Sequence, residues 1–584
     1  MDRRRNALLA AGVALGLLMT TTACGIPEDG PVVPLGLQKF DPASGYTGGG
    51  EQVPSTRADE SVANFLKAAA GDPAKRQNRL ERFMADNKKE QRWGEIEGLP
   101  LIDDVNIEPV NIGKVRVTGK IIATYTLDGQ ILPPETGNTD IDLTYLLTQD
   151  PKTDLWLFSE APTQILLTVA HFRESYAPAP IYFLNKPDHH NVVADTRYLF
   201  NNAPPEQKTA DLLLWLVAGP SQAMKPFVYT AVPPNTNLNS ADMRADGTVV
   251  VDLDSGAANI DTTLIRPQLA WTLRSVRTEL IGGFDLQVDS ISRVTGSLVD
   301  SRATNLASSL VPRDLRPRVI TEGTVQPPVP GVPAATYQGL RYAVPNIAAG
   351  KTILVSPEGV RVVKPLGEGQ VPKNPDPTSI KITDLPPGEV GRPTWLSDSI
   401  VLIPVAGKVY AAALGDKDTT KASSGPVMNA TVGRIAMSPD GARLAYTSGG
   451  RAHWAAIQEN GDGTVTVGAA HDLGPDMTQV RDVGWSRQDR VAITGVSSDK
   501  QHLVEYSLDN VFVKSVEDLG SASELDELAV KCADPWNGPG TVGDLYVTVG
   551  DTVYQSSSGA SLTQYRPEPA DTASSLKGRG LFLQ

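Results

Sequence analysis

Apolar positions change rhythm several times along this chain. In ADESVANFLKAAAG, Val62, Phe65, Leu66 and Ala69 recur at helical spacing, with Asp59 or Ser61 as the N-cap and Gly71 closing the run. QNRLERFMAD continues as a second helix. The period then drops to two. Val115, Val117, Ile121, Ala123 and Tyr125 share one strand face, and Arg116, Thr118, Lys120 and Thr124 the other. DIDLTYLLTQ and DLWLFSE read as further strands, so helices followed by strands predict an α+β layer fold over residues 57–176.

Residues 177–297 alternate differently. The strand PIYFL leads to the helix EQKTADLLLWLVAGP, stopped at Gly219-Pro220. After TAVPPNT comes the strand TVVVDL, then a helix LIRPQLAWTLRSVRTELIGG whose buried stripe is Leu269, Leu273, Val276 and Leu280, ended by Gly282 and Gly283. In the closing strand FDLQV, Phe284, Leu286 and Val288 share a face. A Pro-rich segment, VQPPVPGVPAATY, lies in a predicted linker over 298–336.

From 337 to 584 strands dominate. TWLSDSIVLI, AMSPDGARLAYTS and GWSRQDRVAITG align so that Trp395, Met437 and Trp485 are equivalent, 42 and 48 residues apart by subtraction. That period suits one four-stranded blade, and VSPEGVRVV and LYVTVGDTVYQ mark two more. The prediction is a multidomain chain ending in an all-β propeller of five or six blades.

The N-terminus has another pattern. Arg3, Arg4 and Arg5 precede an uncharged run from Ala7 to Met19. At about 1.5 Å per residue this spans roughly 20 Å, short of the roughly 30 Å hydrocarbon core, and reads as a signal-peptide h-region over residues 1–23. Thr21, Thr22 and Ala23 before Cys24 resemble the lipobox of bacterial lipoproteins, with Thr21 where that pattern usually has leucine. The resemblance implies cleavage before Cys24, acyl chains on it, and a cell-membrane location on the extracytoplasmic face. Residues 24–56, rich in Pro with a Gly48–Gly50 run, are then a lipidated flexible tether.

Composition narrows the function. A net charge of −14 and a pI near 5.1 argue against a nucleic-acid partner. With two cysteines and Cys24 lipidated, Cys532 has no intramolecular disulfide partner and reads as buried and inert. Gly350-Lys351-Thr352 matches the end of a P-loop, but its first glycine would fall at Pro345 and a strand follows. His189 and His190 sit in a polar loop and read as solvated surface. Ser574 to Lys577 matches a serine–lysine spacing without companion motifs. Trp395 and Trp485 read as inter-blade packing. No catalytic constellation, metal site or cofactor site is predicted.

LLLWLVAGP, AVPPNTNL, GTVVVDL and the Leu-rich helix ending in Gly-Gly resemble, in that order, the GerMN domain, which makes residues 177–297 an α+β GerMN-like domain. The order of elements over 57–176 is similar to small cone-shaped domains of the NTF2 type. Anchor, tether, α+β domain, GerMN-like domain and propeller together resemble the LpqB lipoprotein family of actinobacteria. That resemblance implies a non-enzymatic membrane protein that binds the sensor domain of the histidine kinase MtrB and modulates its two-component system with MtrA. The competing expectation is a module that binds peptidoglycan without kinase contact.

Overall fold

The fold is known from a computed structural model, which describes residues 52–88, 98–134, 139–189, 191–276, 282–298, 317–321, 324–326, 341–346, 350–363, 379–415, 419–498, 500–520, 525–531, 544–549, 552–556, 561–564 and 580–583. Cys24, His190, Leu280, Cys532 and the Ser574–Lys577 motif lie outside these residues.

In the first domain, the strands Trp156–Phe158, Asp140–Gln149, Lys114–Thr126, Gly98–Asn111 and Leu167–Thr168 lie side by side in that order. The alternation in Lys114–Thr126 does what it predicts: Val115, Val117 and Ala123 are buried. Helix Ala58–Ala69 covers this face through Val62, Phe65 and Leu66. Phe65 meets Phe83 and Phe158 at ring-centre distances of 5.8 and 4.7 Å. The second helix is shorter than its pattern suggests, Arg76–Glu81, and Phe83 and Met84 enter the core beyond its end.

Neither expected N-cap holds. The helix starts ahead of both, after Arg57 and with no side-chain cap. Ser61 is wholly buried, and its hydroxyl donates to the Trp156 carbonyl at 2.8 Å and accepts the Ser55 N–H at 2.7 Å. Asp59 pairs with Arg57 at 2.6 Å. A tertiary partner has taken the Ser61 hydroxyl and the preceding arginine the Asp59 carboxylate, so neither oxygen caps the helix.

The second domain builds a sheet of Leu238–Met243, Thr248–Leu253, Gly283–Val288 and Ile291–Ser297. Its middle two strands are parallel and joined through helix Thr262–Arg274, because parallel neighbours need a crossover. Asp261 caps that helix, accepting from the N–H groups of Thr263 and Leu264 at 2.8 and 3.2 Å. Leu269, Leu273 and Val276 are buried as the spacing requires. Gln268, also fully buried, accepts the Ala231 N–H at 2.6 Å and donates to the Tyr182 carbonyl at 3.0 Å, bolting the helix to a second sheet. Helix Pro205–Ala218 ends at Gly219, whose φ of +98° suits glycine alone.

From residue 317 onward the described strands form six sheets. Trp395, Met437 and Trp485 occupy matching places, opposite Val401, Leu444 and Val491 in successive hairpins. Each tryptophan reaches back one blade: Trp395 Nε1 donates to the Val344 carbonyl at 2.9 Å and Trp485 Nε1 to the Ala436 carbonyl at 3.0 Å. Within the segment expected as linker, strand Pro317–Thr321 pairs with Thr324–Gln326 and with the C-terminal strand Gly580–Leu583. The last strand also lies beside Tyr342–Asn346 and Leu525–Lys531, so the two ends of the propeller segment meet in one blade and close the ring.

The first two domains and the propeller share cores. Strand Tyr176–Pro178 pairs with Tyr198–Phe200, placing residues from either side of the expected boundary at 177 in one aromatic cluster. The propeller loop at 508–512 enters that cluster. Val511 is fully buried, Phe512 stacks on Tyr198 at 5.2 Å, and the Arg173 guanidinium donates to the Val511 carbonyl. Tyr198 donates to the partly buried Asp509 carboxylate at 2.5 Å, and desolvation raises that carboxyl above its ordinary range. Tyr182 reaches Gln488 at 3.1 Å, and Arg443 donates to the Ala194 carbonyl.

Asp211, partly buried on helix Pro205–Ala218, feels both burial and the negative charge of Asp72 in the first domain, and its pKa is pushed up to about 6. A carboxyl whose folded pKa exceeds its unfolded value binds its proton more tightly when folded, so stability rises as pH falls from above 6 toward 4. Asp211→Asn is expected to flatten that rise and to stabilise the protein by about 1–2 kcal/mol at pH 7, allowing for solvent screening. Urea melts at pH 4.5 and 7 check it; an unchanged pH dependence would contradict the assignment.

Candidate functional site

Two surface features stand out among the described residues. A cleft of about 650 Å3 lies between the 185–191 loop of the second domain and the propeller blades that contain Trp395 and Met437. Its polar lining is pre-organised: Asn185 donates to Asp188 at 2.8 Å, Asn346 to Asp398 at 3.1 Å, and Gln458 to Asn460 at 3.0 Å. Gln458 lines the cleft, and its side-chain oxygen is buried without a hydrogen-bond partner. One face of Trp395 adds an apolar wall, while its indole N–H is already used between blades.

The second feature is a ledge of exposed leucines where the first two domains touch. Trp215 Nε1 donates to the Leu127 carbonyl at 3.2 Å and its ring covers Gly129, whose N–H and carbonyl bind Thr126 and Tyr198. Around this contact Leu127 is 68%, Leu214 51% and Leu132 43% exposed. Scattered apolar side chains on a surface are ordinary, whereas several near one fixed contact make it a candidate interaction face. Part of this was legible in sequence, since the run Leu212–Val217 is too long for one helix face to bury. The cleft was not, because its polar residues come from segments far apart in the chain.

The motif residues fall elsewhere. Gly350 lies in the turn before the hairpin strand Lys351–Ser356, with no helix after it, and the Lys351 ammonium donates to the Asp398 carbonyl at 2.8 Å. His189 is not simply solvated: it is partly buried and its ring stacks on Tyr229 at 4.1 Å, a contact that satisfies its apolar surface. Among the described residues, no group of three or more His, Cys, Asp or Glu side chains is placed to hold a metal ion, and no helix is long and apolar enough to cross a membrane.

Residues 180–291 match the Germane domain of sporulation and spore germination, and residues 327–570 match the Lipoprotein LpqB beta-propeller domain. Neither is an enzymatic family. Lipoprotein LpqB of Rhodococcus opacus (strain B4) is 24% identical over 552 residues, covering 85% of this chain and 86% of its own. Lipoprotein LpqB of Mycobacterium tuberculosis (strain CDC 1551 / Oshkosh) is 26% identical over 519 residues, with coverages of 78% and 82%. Among solved structures, the tandem GerMN domains of the sporulation protein GerM from Bacillus subtilis share 20% identity over 21% of this chain and 43% of that one, at a TM-score of 0.16. Matched domain by domain and along most of the length of its relatives, the chain is similar throughout to the LpqB lipoproteins, with a domain that matches Germane ahead of one that matches the LpqB β-propeller.

Proposed function

We propose that lipid on Cys24 holds this protein at the outer face of the plasma membrane, where it binds, without catalysis, the sensor domain of an MtrB-like histidine kinase and modulates its signalling. The observation that best supports a protein partner is the leucine ledge. It offers exposed apolar surface on a rigid junction of two domains, so binding costs little ordering entropy. Confinement to the kinase's own membrane raises effective concentration, and a modest affinity suffices. Signalling shifts only if one sensor conformation is bound better than the other.

Because the domains share cores, the test uses the whole chain. In a pull-down against the sensor ectodomain, Leu127→Glu combined with Leu214→Glu is expected to weaken binding at least about tenfold, roughly 1.4 kcal/mol. Retained binding by this variant would remove the ledge from the proposal, and no binding by the natural chain would remove the kinase. For the anchor, Cys24→Ala is expected to lose its acyl mass by mass spectrometry; an unchanged mass at that residue, or an unmodified thiol in the natural protein, would refute lipidation.

The cleft favours a second reading, peptidoglycan binding, since carboxamides and hydroxyls beside an indole suit a glycan. Cosedimentation with purified sacculi separates the two, and Gln458→Leu is expected to reduce pelleting if the glycan occupies the cleft.

A further inference from the structure

The strand Gly98–Asn111 turns back into Lys114–Thr126 at Ile112-Gly113, and the tip of this hairpin is apolar. Ile112 is 94% exposed, Val110 is 50% exposed, and Pro109 beside them is exposed too. The tip is fixed in place. Gly113 has a φ of +72°, its carbonyl accepts the Leu147 N–H at 2.7 Å, and a side chain there would strike the Leu147 carbonyl. With Gly113 pinned to the sheet, Ile112 has no neighbour to bury against and is held outward.

The position of this tip relative to the start of the folded chain gives it meaning. Trp156 packs against Gly113, and the Trp156 N–H donates to the Ser55 carbonyl at 2.8 Å. Two residues before Ser55 stands Val53, itself 49% exposed. Thus the chain leaves the folded body toward its N-terminus beside the hairpin tip. From Gln52 back to Cys24 is 28 residues by subtraction, a span of at most about 100 Å when fully stretched. The charges at this end are of both signs: Lys114 is exposed two residues after Ile112, Arg116 lies between Asp142 at 2.6 Å and Glu108 at 3.4 Å, and the Asp150 carboxylate in the adjacent turn accepts from the Lys152 N–H and the Thr153 hydroxyl.

From this juxtaposition we infer that the Val110–Ile112 hairpin tip is a second membrane contact, dipping its apolar side chains into the headgroup and acyl boundary of the bilayer that carries the lipid anchor. Interfacial binding of this kind grows with buried apolar area and with basic residues facing anionic lipid. Tethering makes the second contact intramolecular, so a small apolar tip is enough. The consequence is orientation: the first domain stands on the membrane by the end that bears Val53 and Ile112. The inference rests on the lipidation of Cys24 for its tethering step, while the tip's own affinity for lipid does not.

The test places an environment-sensitive nitrobenzoxadiazole label on Ile112→Cys in a Cys532→Ser background of the full chain. The acylated protein is reconstituted in vesicles of phosphatidylglycerol and phosphatidylcholine. Emission is expected to shift to the blue and to lose quenching by aqueous iodide, whereas the same label on Ile291→Cys, 61% exposed in the second domain, stays quenched. Both positions are solvent-exposed, so neither substitution disturbs a core. A label at 112 that remains fully quenched in acylated, vesicle-bound protein overturns the inference. If mass spectrometry shows Cys24 unmodified, the anchor reading fails separately. Unacylated protein carrying Cys24→Ala, so that the thiol at 112 alone takes the label, is then mixed with the same vesicles, where a blue shift still upholds the tip contact and its absence overturns it.

Discussion

Arg392→Met is expected to destabilise the propeller by about 3–5 kcal/mol, the size of loss seen when one member of a buried ion pair is removed. Arg392 precedes strand Thr394–Trp395, and its guanidinium spans three blades. It meets Asp482 Oδ1 at 2.8 Å and donates to the Leu528 carbonyl at 2.9 Å. Asp482 is fully buried. Its other oxygen accepts the Leu528 N–H at 2.9 Å, and its own backbone N–H donates to the Thr494 hydroxyl at 3.1 Å. Taking away the cation strands a carboxylate that is itself fully buried. Methionine fills the space, so the loss reports charge rather than volume. In a thermal melt the propeller transition should fall by roughly 10 °C. Adding Asp482→Asn should recover part of that fall, since the stranded charge goes with it. A melt unchanged by Arg392→Met would show that the ring is not held through its centre.

The second large effect is at the loop that joins propeller and first domain. Val511→Asp puts a carboxylate where a fully buried aliphatic stood, two residues from Asp509 and inside an aromatic cluster of Phe172, Tyr198 and Phe512. An unpaired buried charge costs several kcal/mol, which is more than one loop contact can repay. The loop is expected to leave the cluster, exposing Phe172 and Tyr198 and freeing the first domain from the propeller. Limited proteolysis should open new cleavage sites near 508–512 and at the first-domain boundary, and small-angle scattering should show a larger radius of gyration. Val511→Ala, which removes two methyl groups and adds no charge, should cost only about 1–2 kcal/mol and leave the domains together. If Val511→Asp keeps the compact scattering profile, the loop is not what couples them.

Periodicity carried most of the secondary structure. The alternation around Val115–Tyr125 and the stripe Leu269–Leu273–Val276 became the buried faces that the spacing implied, because facing a core is a local consequence of period, and Trp395, Met437 and Trp485 took matching places in their hairpins, Trp485 buried and the other two partly so. Local signals failed where a distant segment supplied a better partner. Ser61 was available as a cap and instead ties its helix to Trp156, and His189 was polar enough for solvent and instead stacks on Tyr229. Gln268 and Asp482 gave no sign of their roles, since a single buried carboxamide or carboxylate has no periodicity.

The sequence by itself carried the pattern that reads as an export signal ending in Cys24, a GerMN-like segment ahead of a propeller, and strand pieces in five of the blades, because these depend on residues near one another in the chain. Only the tertiary structure decided that Pro317–Thr321 pairs with Gly580–Leu583, that the 508–512 loop enters the first domain, that polar side chains converge on one cleft, and that Ile112 stands beside the point where the chain departs toward its N-terminus. Those arrangements join residues as many as hundreds of positions apart. They are set by which surfaces can be buried together and which hydrogen bonds can then be satisfied, and neither is a property of any short stretch of sequence.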